Sequence, residues 1–210
     1  MEKNEFRALA VKKKKMLEES YRTEADRGIA LRLLQHPVFL QAESIFIYVS
    51  LPEEPDTAVI IDTAWQMGKA VFVPRCLPGK EHIMEAVRIH DRSDLVSGRY
   101  GIPEPEITLP AENGGCFDMG IIPCVAADVH GGRLGHGAGY YDRFLEQTPM
   151  DTWCLCYEKM IMEEIPMDPT DIMMRHVVTE DRVIRAAGRG EASEKTEKQG
   201  FIKLLSKWFK

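Results

Sequence analysis

A chain of 210 residues suits one domain better than two, and with 44% hydrophobic residues it is too apolar to be disordered. Its 27 basic and 33 acidic side chains leave a net charge of −6, which argues against nucleic-acid binding as the main function, because phosphate contacts need a basic face. A local basic pocket for a small polyanion remains compatible with that balance. The five cysteines (Cys76, Cys116, Cys124, Cys154 and Cys156) contain no C-x-x-C pair, so neither a disulfide framework nor a zinc knuckle is expected, and a reducing compartment fits better. The opening MEKNEFRALA lacks a signal-peptide core, and no stretch approaches the roughly 20 apolar residues of a membrane span. The expectation is a cytoplasmic protein, with monomer and dimer both left open.

Residues 3–20 place Phe6, Leu9, Ala10, Met16 and Leu17 at near-helical spacing, and the run Lys12–Lys15 reads as solvated helix surface. A second helix over 24–41 carries Ile29, Leu31, Leu33, Leu34 and Phe39 and is interrupted near Pro37. Ser44–Ser50 is an apolar, aromatic run of strand length, Asp56–Gly68 reads as a helix ending at Gly68, and Ala70–Pro74 is a short buried strand. That strand–helix–strand order is the unit of a parallel sheet. His82–Ile89 alternates loosely as a strand, and the Gly- and Pro-rich residues 97–116 read as an ordered loop. Asp118–Pro123 is a further strand, Gly131–Gly139 a glycine-rich turn and Tyr140–Gln147 a helix, followed by strands at Thr152–Tyr157 and Ile172–Thr179. Cys154 and Cys156, two apart on a strand, share one face and read as buried small hydrophobes. The expected fold is α/β: an open, mainly parallel sheet flanked by helices in a Rossmann-like three-layer arrangement, with ligand at the strand carboxyl ends.

The α/β domain is expected over residues 1–187. Residues 188–199 (GRGEASEKTEKQ) are polar and aperiodic and predict a flexible linker. Residues 200–210 then predict a short amphipathic helix with Phe201, Leu204, Leu205 and Trp208 on one face. Such a helix docks on its own domain or on a second subunit, or lies on a partner or a membrane surface.

The most informative segment is Gly131–Leu145 (GGRLGHGAGYYDRFL). Glycines between a strand and a helix let backbone N–H groups approach an anion at the helix start, and Arg133 adds a permanently charged fork. The spacing is neither a P-loop, since no Lys-Ser/Thr follows, nor the G-x-G-x-x-G of dinucleotide folds. A generic glycine turn therefore competes with a phosphate cradle. Asp142, a hard oxygen ligand one step past the cradle, favours the second reading. The six histidines form no H-x-x-x-H or H-E-x-x-H pattern, so a zinc-type site is not expected.

Arg133-Leu134-Gly135-x-Gly137-x-Gly139-Tyr140-Tyr141-Asp142-Arg143 resembles the signature of the 5-formyltetrahydrofolate cyclo-ligases, also called methenyltetrahydrofolate synthetases. Other matches stand in the family's order: Lys3-x-x-Phe6-Arg7, Ser50–Thr57, Gly68-Lys69, Pro74-Arg75, Tyr100–Pro105, Ile165–Asp171 and Thr179-Glu180. The resemblance spans about residues 3–182. It implies an ATP- and Mg²⁺-dependent conversion of 5-formyltetrahydrofolate to 5,10-methenyltetrahydrofolate with release of ADP and phosphate. The formyl oxygen would be phosphorylated, and N10 would then attack.

The resemblance also implies site residues. ATP would meet Lys3, Arg7, Arg75, Arg133, Leu134, Gly135, His136, Gly137, Ala138, Gly139 and Tyr140. Asp142 and Asp171 would hold Mg²⁺, and Glu54, Tyr100, Tyr141 and Val49 would receive the folate. Each has a plainer alternative: Lys3 and Arg7 as solvated helix charges, Glu54 as a loop acid, Asp171 as a turn cap, Tyr100 and Val49 as packing. His136 and Ala138 depart from common family residues, and a Cβ at 138 would strain a loop that needs positive φ there. Two rival readings share the sheet: an enzyme acting on another phosphate-bearing small molecule, and a non-catalytic folate- or nucleotide-binding module. A third places the protein's business in its tail, as an interaction protein.

Overall fold

The computed structural model describes residues 2–79, 82–98, 101–112 and 115–186. Tyr100 and the predicted linker and terminal helix lie outside the described residues. The first helix is α1 (Lys3–Lys15). The second divides into α2 (Glu19–Leu34) and α3 (Pro37–Gln41) at the position of Pro37. Proline has no N–H to continue a helix, but its fixed φ suits the first turn of a new one. β1 (Ser44–Ile47), α4 (Ala58–Gln66) and β2 (Ala70–Cys76) make the expected parallel unit, with Phe46 opposite Phe72. β3 (Met84–Ile89) returns antiparallel to β2.

A small antiparallel ribbon, β4 (Leu95–Ser97) with β5 (Pro103–Pro105), leads into and enters the stretch read as a loop. Beyond it run β6 (Met119–Pro123), β7 (Ala126–Asp128), β8 (Arg133–Leu134), α5 (Tyr140–Gln147), β9 (Asp151–Leu155), β10 (Ile161–Met162), β11 (His176–Val178) and β12 (Val183–Arg185). β7, β8 and β10 form a second small sheet, so part of the glycine segment is strand. Two- and three-residue strands leave no periodic trace, which is why β7, β8, β10 and β12 escape a reading of the sequence.

The main sheet has the order β12-β11-β9-β6-β1-β2-β3. Its five inner strands are parallel and its two outer pairs antiparallel. Phe144 of α5 lies 4.6 Å from Phe46, ring centre to ring centre, so α5 covers the Phe46 face. Right-handed connection places α4, between β1 and β2, on the other face, which gives three layers. Ile45, Ile47, Ile121 and Trp153 are wholly buried in the middle layer. Each contributes about 1.5–3 kcal/mol relative to exposure, so the sheet centre carries stability that the charged cleft need not supply. Among the described residues no helix is long and apolar enough to cross a membrane.

Candidate active site

The chain leaves β1 toward β2 on one side and later places β6 on the other. Ligands bind at the carboxyl ends of the strands where such a reversal occurs. A cleft of about 800 Å³ opens there, with Tyr48 and Val49 after β1, Pro74 and Cys76 from β2, Pro123 at the end of β6 and Cys124 just after it on its walls. Its volume lies within the range of small-ligand sites, about 300–1,000 Å³.

α1 lies against this end of the sheet. Lys3, Arg7, Ala10 and Lys14 fall at i, i+4, i+7 and i+11, one face of a helix. That face is cationic where an ordinary docking face is apolar. Lys3 and Arg7 line the cleft. Lys14 corrects the reading of Lys12–Lys15 as wholly solvated: it is 5% exposed, and its Nζ donates to the Cys124 carbonyl at 2.8 Å. Lys12, Lys13 and Lys15 are exposed as expected.

The glycine loop is built on Asp128. This fully buried carboxylate accepts from the backbone N–H groups of His130 and Gly132 on Oδ1 and of Ile165 on Oδ2, each at 2.8 Å. Leu134 is buried in the core and anchors the loop without reaching the cleft. Gly137 and Gly139 take φ of 98° and 74°, which side chains resist. Gly139 is the N-cap of α5, and no side chain caps that helix, so its first turn faces the cleft with its backbone donors. The strain foreseen at Ala138 does not arise: among the described residues His82 is the one non-glycine with positive φ. Arg7 braces the loop from outside, its Nε donating to the Gly135 carbonyl at 2.9 Å.

Cations and carboxylates in the cleft neutralise one another. Arg133 donates to Asp142 Oδ1 at 2.8 Å and to the Pro123 carbonyl at 3.3 Å, while its buried Nε has no partner. Burial opposes its charge, yet Asp142 keeps its pKa above the ordinary value. Lys3 pairs with Asp171 and, at 2.8 Å, with Asp168. Here too burial opposes the charge, and the two aspartates outweigh it and raise the pKa. Asp142 and Asp171 thus stand on the same cleft as the glycine loop.

At the other end Glu54 is held by its own turn. Its Oε2 accepts from Leu51 N at 3.0 Å, and Oε1 faces the exposed His136 ring at 3.7 Å. Tyr141 is close by: burial first, then the Glu54 charge, push its phenol well up. Its ring lies 5.8 Å from the Arg133 guanidinium carbon. Val49 and Tyr140 also line the cleft.

Arg75 is a correction. Alternation along β2 sends Pro74 and Cys76 to the cleft and Arg75 elsewhere. Its Nε donates to Glu85 at 2.8 Å and its Nη1 to the carbonyls of Glu106 and Leu109, so the guanidinium ties a loop to β3 and offers no phosphate contact. Residues the sequence reading passed over are Tyr48, Glu104, Lys14, Cys124 and Asp168. Lys14 was visible as the fourth member of the helical stripe, and Asp168 as the partner of Asp171 three residues on. Glu104, buried on the cleft wall, lay within the matching Tyr100–Pro105 segment but was given no role.

The 5-formyltetrahydrofolate cyclo-ligase family profile matches residues 1–180. The chain is similar to the 5-formyltetrahydrofolate cyclo-ligase of Escherichia coli K12, 30% identical over 170 residues, covering 76% of this chain and 90% of that one. It is similar to the enzyme of the same name from Mycolicibacterium smegmatis, 30% identical, covering 88% and 96%. The solution structure of Aquifex aeolicus 5,10-methenyltetrahydrofolate synthetase superposes with a TM-score of 0.78 at 28% identity, covering 95% of this chain and all of that one.

Proposed function

The chain belongs to the 5-formyltetrahydrofolate cyclo-ligase family, and on that premise we propose that its cleft converts 5-formyltetrahydrofolate and ATP into 5,10-methenyltetrahydrofolate, ADP and phosphate. The observation that carries this reading is one cleft with two chemistries. Lys3, Arg7 and the glycine loop form a polyanion end, and the buried carboxylate of Glu54 with Tyr141 and Val49 forms an end suited to a flat, hydrogen-bonding ring.

An N-formyl group is an amide, with a weakly electrophilic carbon and an oxygen that does not leave. The formyl oxygen attacks the γ-phosphorus, ADP departs, and the carbon becomes an imidate-like centre. N10 then attacks that carbon and loses its proton, and phosphate leaves with the former formyl oxygen. Little covalent work falls to the protein, so positioning and charge neutralisation supply most of the rate. Glu54 holds the pterin end through the carboxylate oxygen turned to the cleft, while Tyr141 and Val49 wall the ring.

Triphosphate binding exchanges partners within the cleft. Phosphate oxygens take over Lys3 and Arg7, and with them the amides of Gly135–Gly139. Asp171 is released from Lys3 by the same exchange. The freed donor set fits Mg²⁺: hard carboxylate oxygens beside the phosphate site, with the contacts of Asp142 to Arg133 and Ile172 N both on Oδ1. Asp142 and Asp171 would hold the ion, which supplies charge neutralisation at the phosphates. Arg133, nearly buried, acts chiefly by fixing Asp142.

Purified protein given 5-formyltetrahydrofolate, Mg²⁺ and ATP should produce the absorbance of the methenyl product, and should not do so without ATP. No absorbance increase in the complete mixture would refute the reaction.

A further inference from the structure

Three cysteines meet under the floor of the cleft, in a place the reaction does not use. Cys124 follows β6 and touches the cleft with 2% of its surface exposed, while Cys154 and Cys156 lie on β9 and just beyond it; all three are buried. β6 and β9 are parallel neighbours, with Ile122 opposite Cys154 and Pro123 opposite Leu155. One step further along that register sets Cys124 beside Cys156, and residues two apart share a sheet face. Adjacent strands lie about 4.8 Å apart, inside the roughly 4.4–6.8 Å that a disulfide spans between Cα atoms.

The surroundings favour a reactive sulfur. Lys14 Nζ lies on the Cys124 carbonyl, and Arg133 reaches the carbonyl of the preceding Pro123. As a thiol, Cys124 contacts the Leu155 carbonyl at 3.3 Å. Thiol donation from Cys154 and Cys156 lowers the Cys124 thiol against its burial, with the charges of Lys14 and Arg133 adding to it, and its two neighbours are pushed up. Of the three, Cys124 is the one on the cleft wall, so an oxidant entering there meets it first and a β9-side thiol stands behind it to resolve the product. Cys76 also lines the cleft, but β1 separates its strand from β6. Cys116 is exposed and precedes β6, at the opposite end of the sheet.

We propose that Cys124 is an oxidation site reached through the cleft, where a hydroperoxide converts it to a sulfenic acid that Cys156 resolves to an intramolecular disulfide. The Cys124 thiolate attacks a peroxide oxygen, the O–O bond breaks, and the departing hydroxide or alkoxide takes a proton. The Cys156 sulfur then attacks the sulfenic sulfur, an S–S bond forms and water leaves. Two thiols lose two electrons in all, and the hydroperoxide is reduced. The disulfide draws Cys124 toward β9, disturbing the carbonyls that hold Lys14 and Arg133. Arg133 in turn holds Asp142, so ligand binding falls with oxidation.

The test treats the full chain with hydrogen peroxide, blocks remaining thiols and maps cross-links by mass spectrometry with fragmentation, a readout independent of the reaction assigned above. The expected product joins Cys124 to Cys156, appears in step with loss of turnover and reverses with dithiothreitol. Cys156→Ala should keep basal turnover, form no cross-link and give a dimedone adduct on Cys124. Cys76→Ser should remain sensitive. The proposal is overturned if peroxide inactivates without modifying Cys124, if the cross-link forms without loss of turnover, or if Cys124 pairs elsewhere. Mapping in the unsubstituted protein decides the matter even if the Cys156 variant does not fold.

Discussion

Replacing Asp128 tests whether the glycine loop owes its shape to one buried carboxylate. Its two oxygens accept three backbone N–H groups at 2.8 Å, from His130, Gly132 and Ile165. A hydrogen bond to a charged group is worth about 1.5–3 kcal/mol, and water entering the vacated space recovers part of that. Asp128→Ala should therefore cost about 3–5 kcal/mol, a large share of a typical stability of about 5–15 kcal/mol. Asp128→Asn separates the contributions. With its amide oxygen in the Oδ1 position it keeps the bonds from His130 and Gly132, but its NH₂ then meets Ile165 N donor to donor. The opposite rotamer loses two bonds instead of one. The expected cost is about 1–3 kcal/mol, smaller than for alanine. Urea unfolding followed by circular dichroism measures both, with the slope of the transition unchanged. Turnover of the asparagine variant should fall more than its stability does if the loop it supports is the phosphate end of the cleft, as proposed. An alanine variant within about 1 kcal/mol of the parent, or an asparagine variant as unstable as alanine, would refute the reasoning.

Asp142→Asn should lower turnover about 100-fold and also lower the urea midpoint, since the amide oxygen still serves Arg133 and Ile172 N but no longer carries the charge that offsets the buried guanidinium; unimpaired turnover would remove Asp142 from the nucleotide site. Arg7→Ala should raise KM for ATP about tenfold, near 1.4 kcal/mol, with a smaller effect on kcat. A shift in the folate KM alone would put α1 at the wrong end of the cleft. His176 stacks on Trp153 with ring centres 3.9 Å apart, and burial lowers its pKa despite Asp151. The unfolded chain then binds the proton more readily, so stability is complete above the ordinary value near 6.5 and is lost as pH falls from there toward the folded pKa. Urea midpoints at pH 7.5 and 5.5 should differ less in His176→Gln than in the parent, and an equal difference would remove His176 as the cause.

The strand–helix–strand unit over 44–74 was legible because each element carries its own period, and β6 and α5 were legible for the same reason. The short strands β7, β8, β10 and β12 were not, because strands of two or three residues exist only through their neighbours. Lys14 illustrates the same limit. Four lysines in a row look alike on the page, and only the docking of α1 against the sheet end selects the one whose ammonium meets a buried carbonyl. Arg75 is the converse: its motif position matched, yet strand alternation turned it to Glu85 and away from the cleft.

Read alone, the chain determined its class, the place of its glycine loop and the residue types its chemistry needs, because period and composition are local properties. Tertiary structure decided which charges face one another: Arg133 with Asp142, Lys3 with Asp171, Glu54 across from His136, and Cys124 beside the β9 thiols. Those pairings join residues from 9 to 168 positions apart, and electrostatics depends on distance in space, which chain order does not specify.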